Sequence, residues 1–137
     1  MLTGMDRTTT TEAQRIGDEG EAMVAARLVA AGWTVLARNL RLGRDEVDLL
    51  AVDPGPPPAL VAVEVRRRGR RDYGLAEESL GWRKRVALRR ALGALIDGAR
   101  LPDGRPLPAL PLRLDLVAID PGPAGEPSVR HHRGIRP

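Results

Sequence analysis

The stretch VAVEVRRRG, Val61 to Gly69, decides how the chain is read. Val61, Val63 and Val65 alternate with Ala62, Glu64 and Arg66, the period of two that marks a β-strand. The strand sets a carboxylate, Glu64, among apolar neighbours and runs directly into Arg66, Arg67 and Arg68. An inward carboxylate followed by positive charge fits a metal-and-phosphate site. It also fits a strand that simply runs out into solvent.

Working outward, DPGPPP (Asp53–Pro58) reads as a turn, because proline cannot donate to a strand ladder. DEVDLLAV (Asp45–Val52) is then a strand antiparallel to Leu60–Arg66. Trp33–Arg38 is a short strand, followed by a turn at Asn39–Arg44. Glu12–Ala31 reads as a helix closed by Gly32. Ser79 is the expected N-cap of a second helix to Asp97, on which Leu88, Ala91, Leu92 and Leu95 form a core-facing stripe. After the proline-rich segment 99–111, Leu112–Ile119 is a fourth strand. The order α-β-β-β-α-β predicts an α/β fold with a small, four-stranded mixed sheet flanked by helices. The domain is expected at 12–120, between a mobile leader at 1–11 and a loosely held tail at 121–137.

Composition bounds the function. A chain of 137 residues suits one domain, and with 2 % aromatic residues and no Phe its core must be Leu, Val and Ala. No apolar run approaches the length of a membrane span, and the first residues hold no signal-peptide core. The absence of cysteine excludes disulfides and thiolate chemistry and suits the cytoplasm. The net charge of +4 permits a polyanionic partner such as nucleic acid. The positive charge is almost wholly Arg, with Lys84 the only lysine, so part of it reflects compositional bias. Bias explains less well the clusters RRRGRR (Arg66–Arg71) and RKRVALRR (Arg83–Arg90).

Alternation places Glu46 and Asp48 on one face of their strand, with Val47, Leu49 and Ala51 on the other. On the next strand Glu64 and Arg66 share a face with Ala62. A hairpin sets the two acidic faces side by side, and crowded carboxylates repel and raise one another's pKa. A divalent cation reverses that balance, and hard oxygen donors suit Mg²⁺ or Mn²⁺. Glu21 lies in the stripe of Val24, Ala25 and Leu28, so the first helix supplies a further acid. The plain structural alternative is a salt-bridged sheet in which Glu46 pairs with Arg66.

The segments GDEGEAMVAARLVAAGWTVLARNLR, DEVDLL, VAVEVRRR and LRLDLVAID, in this order, resemble the YraN-like family of uncharacterised bacterial proteins. That resemblance covers about Ile16 to Asp120 and implies a restriction-endonuclease-like core, near the Holliday-junction resolvases. It implies a metal-dependent nuclease acting on DNA, with branched or flapped forms as candidates. The family's acidic motifs fall on Glu21, Asp48 and Glu64, which would bind the metal, with Glu46 beside them. Its strand lysine falls on Arg66, its helix lysine on Lys84, and its Arg-x-Asp on Arg113 and Asp115. Arg66 is the departure that matters. A guanidinium stays protonated and cannot act as a base, but it can hold a phosphate and stabilise developing charge. The second functional class is therefore a catalytically weak nuclease-fold protein that binds nucleic acid or a partner that does.

Arg67, Arg68, Arg70, Arg71, Arg83 and Arg85 are the candidate phosphate contacts, set against a solvated charge run. Trp82 and Tyr73 are expected to be packing residues rather than base-stacking platforms. His131 and His132 sit in a Pro- and Gly-rich tail with no acid nearby in sequence, which argues against a ligand role. The match of His131 to a histidine in the family's C-terminal segment suggests a docked tail.

Overall fold

The computed structural model of the chain describes residues 11–68, 77 and 80–135. Thr11 opens the first helix with a capping box, its hydroxyl accepting from Gln14 N–H while the Gln14 side chain accepts from Thr11 N–H. The elements that follow are α1 (Glu12–Ala30), β1 (Thr34–Leu42), β2 (Asp45–Asp53), β3 (Ala59–Arg67), α2 (Trp82–Gly98), β4 (Leu112–Asp120) and β5 (Ser128–His132). The strands form one sheet in the order β1-β2-β3-β4-β5. Only β3 and β4 are parallel, and α2 is the crossover between them. No helix among the described residues is long and apolar enough to cross a membrane.

The mixed α/β class matches the sequence expectation, and the strand count does not. The sheet has five strands rather than four, because Ser128–His132 pairs antiparallel with β4 through Leu116–His132 to Asp120–Ser128. Ser128–His132, within the segment expected to be a loosely held tail, is therefore part of the sheet. The turn expected at Asn39–Arg44 is also shorter: β1 runs on to Leu42, and only Gly43 and Arg44 turn. Gly81, not Ser79, is the N-cap of α2, and Ser79 lies outside the described residues. Between β2 and β3, Asp53 accepts the Gly55 N–H at 2.9 Å. Gly55 has φ +73°, and a Cβ there would lie 2.1 Å from the Pro57 carbonyl carbon, so only glycine fits.

The sheet separates two cores. Leu50, Leu60, Ala62, Leu114 and Leu116 meet the stripe of α2, Leu88, Ala91, Leu92 and Leu95. Leu49, Ala51, Val61, Val63, Val117 and Ile119 meet Val24 and Leu28 of α1, with Trp33 beside them. Within β2 strict alternation fails at the site. Val47 joins the α2-side core while Leu49 and Ala51 join the α1-side core, so these three do not fill one face as expected. The reversal lies between the pairs Leu40–Val47 and Arg38–Leu49, at Asn39 and Asp48. Asn39 has φ 50°, a left-handed conformation that Asn tolerates and that turns the strand over.

Candidate functional site

The reversal frees Asp48 from both cores. β2 and β3 are in register from Asp53–Ala59 to Leu49–Val63. One step further would set Asp48 opposite Glu64, and there the ladder gives way: Asp48 Oδ2 accepts the Val65 N–H at 2.8 Å. A side-chain carboxylate thus satisfies a backbone donor that has lost its strand partner. From the neighbouring strand, the Asp48 carboxylate acts on the Glu64 carboxyl group.

Glu64 is 1 % exposed and shares the face of Ala62. Two cations meet the same oxygen, Oε2: an Arg66 Nη at 3.3 Å and Lys84 Nζ at 3.5 Å. Oε1 is buried without a partner. Burial, and then the Asp48 carboxylate, push the Glu64 pKa well above the usual carboxylate range, against the pull of Lys84 and Arg66. Lys84 stands four, seven and eleven residues before Leu88, Ala91 and Leu95, so it extends the buried stripe of α2. Its ammonium also reaches the Glu46 carbonyl at 3.5 Å. Glu46 is half-buried, and the alternative Glu46–Arg66 ion pair does not form; Arg66 turns onto Glu64. The Arg66 Nε is itself buried without a partner.

Glu21 continues the α1 stripe of Val24 and Leu28, as expected, and its Oε1 is buried and unpartnered. Burial raises its pKa to about 7, helped by Asp48, Asp18 and Glu46 and opposed by Arg38. Gly20 before it is buried, but an added Cβ would make only ordinary contacts with Ile119 and Arg67, so no close approach demands glycine. The helix of Glu21 packs on the face opposite to that of Glu64, and Asp48 is the group whose charge both sense. Asp48, Glu64, Arg66 and Lys84 are thus brought together, while Glu21 acts on Asp48 from the α1 side of the sheet. Among the described residues no three His, Asp or Glu are arranged to hold a metal ion as they stand. The donor chemistry nevertheless fits Mg²⁺ or Mn²⁺, with hard carboxylates and orphaned Oε1 atoms on Glu21 and Glu64. In this geometry Arg66 and Lys84 occupy Glu64 Oε2, and a divalent ion would require Glu21 to be drawn toward the pair.

The arginines beyond the site divide. Arg67 donates to the Ile16 carbonyl at 3.4 Å and lies 3.8 Å from Glu19, tying β3 to α1. The Arg68 N–H donates to the Ile119 carbonyl at 3.0 Å. Arg83 is exposed and Arg85 half-buried on the first turns of α2. Arg70, Arg71 and Tyr73 lie outside the described residues.

Sequence reasoning missed most of what holds β5. Asp115, 0 % exposed, accepts from Arg113 at 2.8 and 2.9 Å, from His131 at 2.8 Å and from the Gly134 N–H at 2.9 Å. Burial works to raise its pKa, but the bonds from His131, Arg113 and Gly134 outweigh it and hold the group at about 2. Arg113 also reaches Asp53 at 2.9 Å, and the Trp33 ring lies 5.6 Å from both its guanidinium and the His131 ring. Glu77 accepts from Arg130 and His132 at 2.7 Å, and Arg130 pairs with Asp120 as well. The Arg130 bond is the main reason that the Glu77 pKa falls to about 2. The Arg113–Asp115 pair could be read from its spacing; the partners elsewhere in the chain lie 16 to 60 residues apart and leave no local pattern.

Residues 20–119 match the family described as Uncharacterised protein family UPF0102. The chain is similar to a UPF0102 protein of Symbiobacterium thermophilum, 38 % identical over 112 residues, covering 82 % of this chain and 87 % of that protein. It is 41 % identical over 118 residues to one of Roseiflexus castenholzii, covering 85 % and 89 % of the two chains. One of Anaeromyxobacter dehalogenans is 42 % identical over 118 residues, with 86 % and 81 % covered.

Proposed function

The chain belongs to Uncharacterised protein family UPF0102, the family of its YraN-like motifs, and on that footing we propose that it is a cytoplasmic, metal-dependent nuclease. In this reading the α-β-β-β-α-β part is a restriction-endonuclease-like core, with β5 added at its edge, and the substrate is DNA. The observation that carries the proposal is the Asp48–Glu64 pair. The buried Glu64 and the half-buried Asp48 meet at the point where β2 and β3 part, with Arg66 and Lys84 on one Glu64 oxygen and the other oxygen unpartnered. A purely structural ion pair leaves no buried oxygen orphaned, and here Glu64 Oε1 is orphaned.

A divalent ion held by Asp48, Glu64 and Glu21 would polarise the scissile phosphate and acidify a water. Arg66 leaves Glu64 for a phosphate oxygen, which it holds as a fixed charge without moving a proton. Lys84 keeps a second positive charge against the pair from the α2 side. Hydrolysis adds water across one P–O bond and releases a phosphate monoester and a hydroxyl.

The second reading, a nuclease fold that only binds nucleic acid, is favoured by one observation: the acids do not form a three-group metal set as they stand. A cleavage assay over duplex, single-stranded, flap and four-way DNA with Mg²⁺ or Mn²⁺ separates the two. Cleavage by the wild type that is lost in Asp48→Asn is expected. Binding without cleavage of any of these substrates would make the second reading the better one.

A further inference from the structure

The first turn of α2 carries a feature that the carboxylate site does not use. The chain has two Trp, one Tyr and no Phe, yet Trp82 is 75 % exposed, while Trp33 is 5 % exposed in the core. The expectation that Trp82 packs is therefore wrong. Three, four and seven residues beyond it, on the same side of the helix, stand Arg85, Val86 and Arg89. Arg83 and Arg89 are exposed, and Val86 is 39 % exposed. The first turn holds no acid, although the positive end of the helix dipole favours one, so the surface around the indole is positive. Two residues after Trp82, Lys84 points the other way and meets Glu64 at 3.5 Å. The indole and the carboxylate site are thus fixed to one end of one rigid helix.

We propose that Trp82 is a stacking platform for an unpaired nucleobase, with Arg83 and Arg89 holding the phosphates of that strand beside the Glu64 site. The inference rests on the nucleic-acid reading above and narrows its substrate. An indole stacks on the face of any base, which makes the contact tolerant of sequence. Bases inside a continuous duplex have both faces covered. The substrate class is therefore a strand with unpaired nucleotides, at an end, a gap or a flap, rather than intact duplex.

The test uses the whole protein without divalent metal, so that binding is read apart from cleavage. Tryptophan emission is followed as a short oligothymidylate, or a blunt duplex of matched phosphate count, is added. In parallel, binding of the labelled oligonucleotides is measured for wild type, Trp82→Ala and Trp82→Phe. Oligothymidylate should quench the emission strongly and blunt duplex weakly. Trp82→Ala should weaken oligothymidylate binding by about 5- to 150-fold, the range typical of one stacked base, and leave duplex binding nearly unchanged. Trp82→Phe should retain most of the affinity. If Trp82→Ala binds oligothymidylate as tightly as wild type, the platform is refuted and the nucleic-acid reading stands. If wild type binds neither oligonucleotide, both fall. Emission that changes with protein concentration alone would show the indole covered by a second copy, which also overturns the proposal.

Discussion

Asp115→Asn should cost the protein a large share of its stability. The carboxylate is 0 % exposed and joins β4 to β5 through Arg113, His131 and the Gly134 N–H. Its pKa falls from an ordinary 3.8 to about 2 on folding, with burial opposing the fall and the three donors outweighing it. At 1.36 kcal/mol per pKa unit this drop corresponds to about 2 kcal/mol of stabilisation. The folded value lies below the unfolded one, so the contribution is complete above the unfolded pKa and disappears as pH falls toward about 2. Asn keeps the shape but not the charge and should lose about 2–3 kcal/mol at neutral pH. Asp115→Ala also strands the buried side of Arg113 and should lose about 3–5 kcal/mol. Urea unfolding of wild type and both variants, at neutral pH and again near pH 3, measures these differences. The gap between wild type and Asp115→Asn should narrow at the lower pH. A loss below ~0.5 kcal/mol at neutral pH, the range of ordinary surface changes, or a gap that ignores pH, would refute this account of how β5 is held.

Glu64→Gln should stabilise the fold near neutral pH by about 1–2 kcal/mol, because a functional acid is being replaced by a neutral side chain. Burial raises the folded pKa of Glu64, so the gain should grow as pH rises above the unfolded carboxylate value; thermal melts across pH check the trend. Arg66→Ala should cut any cleavage by about 10²–10³-fold and Arg66→Lys should preserve or raise it. Cleavage that survives Arg66→Ala but vanishes in Lys84→Ala would assign the essential cation to α2. Arg70→Ala combined with Arg71→Ala should weaken binding to all nucleic-acid sequences alike and lower the salt slope by about 2. An unchanged affinity and slope would leave both as solvated surface charges.

The fold was legible where one physical signal dominates. Strand alternation in DEVDLLAV, VAVEVRR and LRLDLVAI placed β2, β3 and β4, and the Leu88–Leu95 stripe placed α2. Hairpin geometry brought Asp48 to Glu64. β5 was not legible, because SVRHH has no apolar period and is held by ion pairs to Asp115, Asp120 and Glu77. The exchange of faces between Val47 and Leu49 depends on a left-handed Asn39 that no hydrophobic pattern announces. The Glu21 position in its helix stripe could be read, but the sheet face that α1 covers could not, since it is a property of the chain path. For Trp82, residue type argued for burial, and only its place on the outer side of α2 shows otherwise.

Whether Asp48 and Glu64 hold a divalent cation is measured most directly by calorimetric titration of Mn²⁺ into wild type and Asp48→Asn near neutral pH. Running each titration in two buffers of different ionisation heat counts the protons released. Burial and Asp48 raise the Glu64 pKa, so a cation entering between them should displace a proton. Saturable binding to wild type with proton release, both lost in Asp48→Asn, is the expected result. No binding to wild type, or equal binding to Asp48→Asn, would contradict a metal centre at this pair.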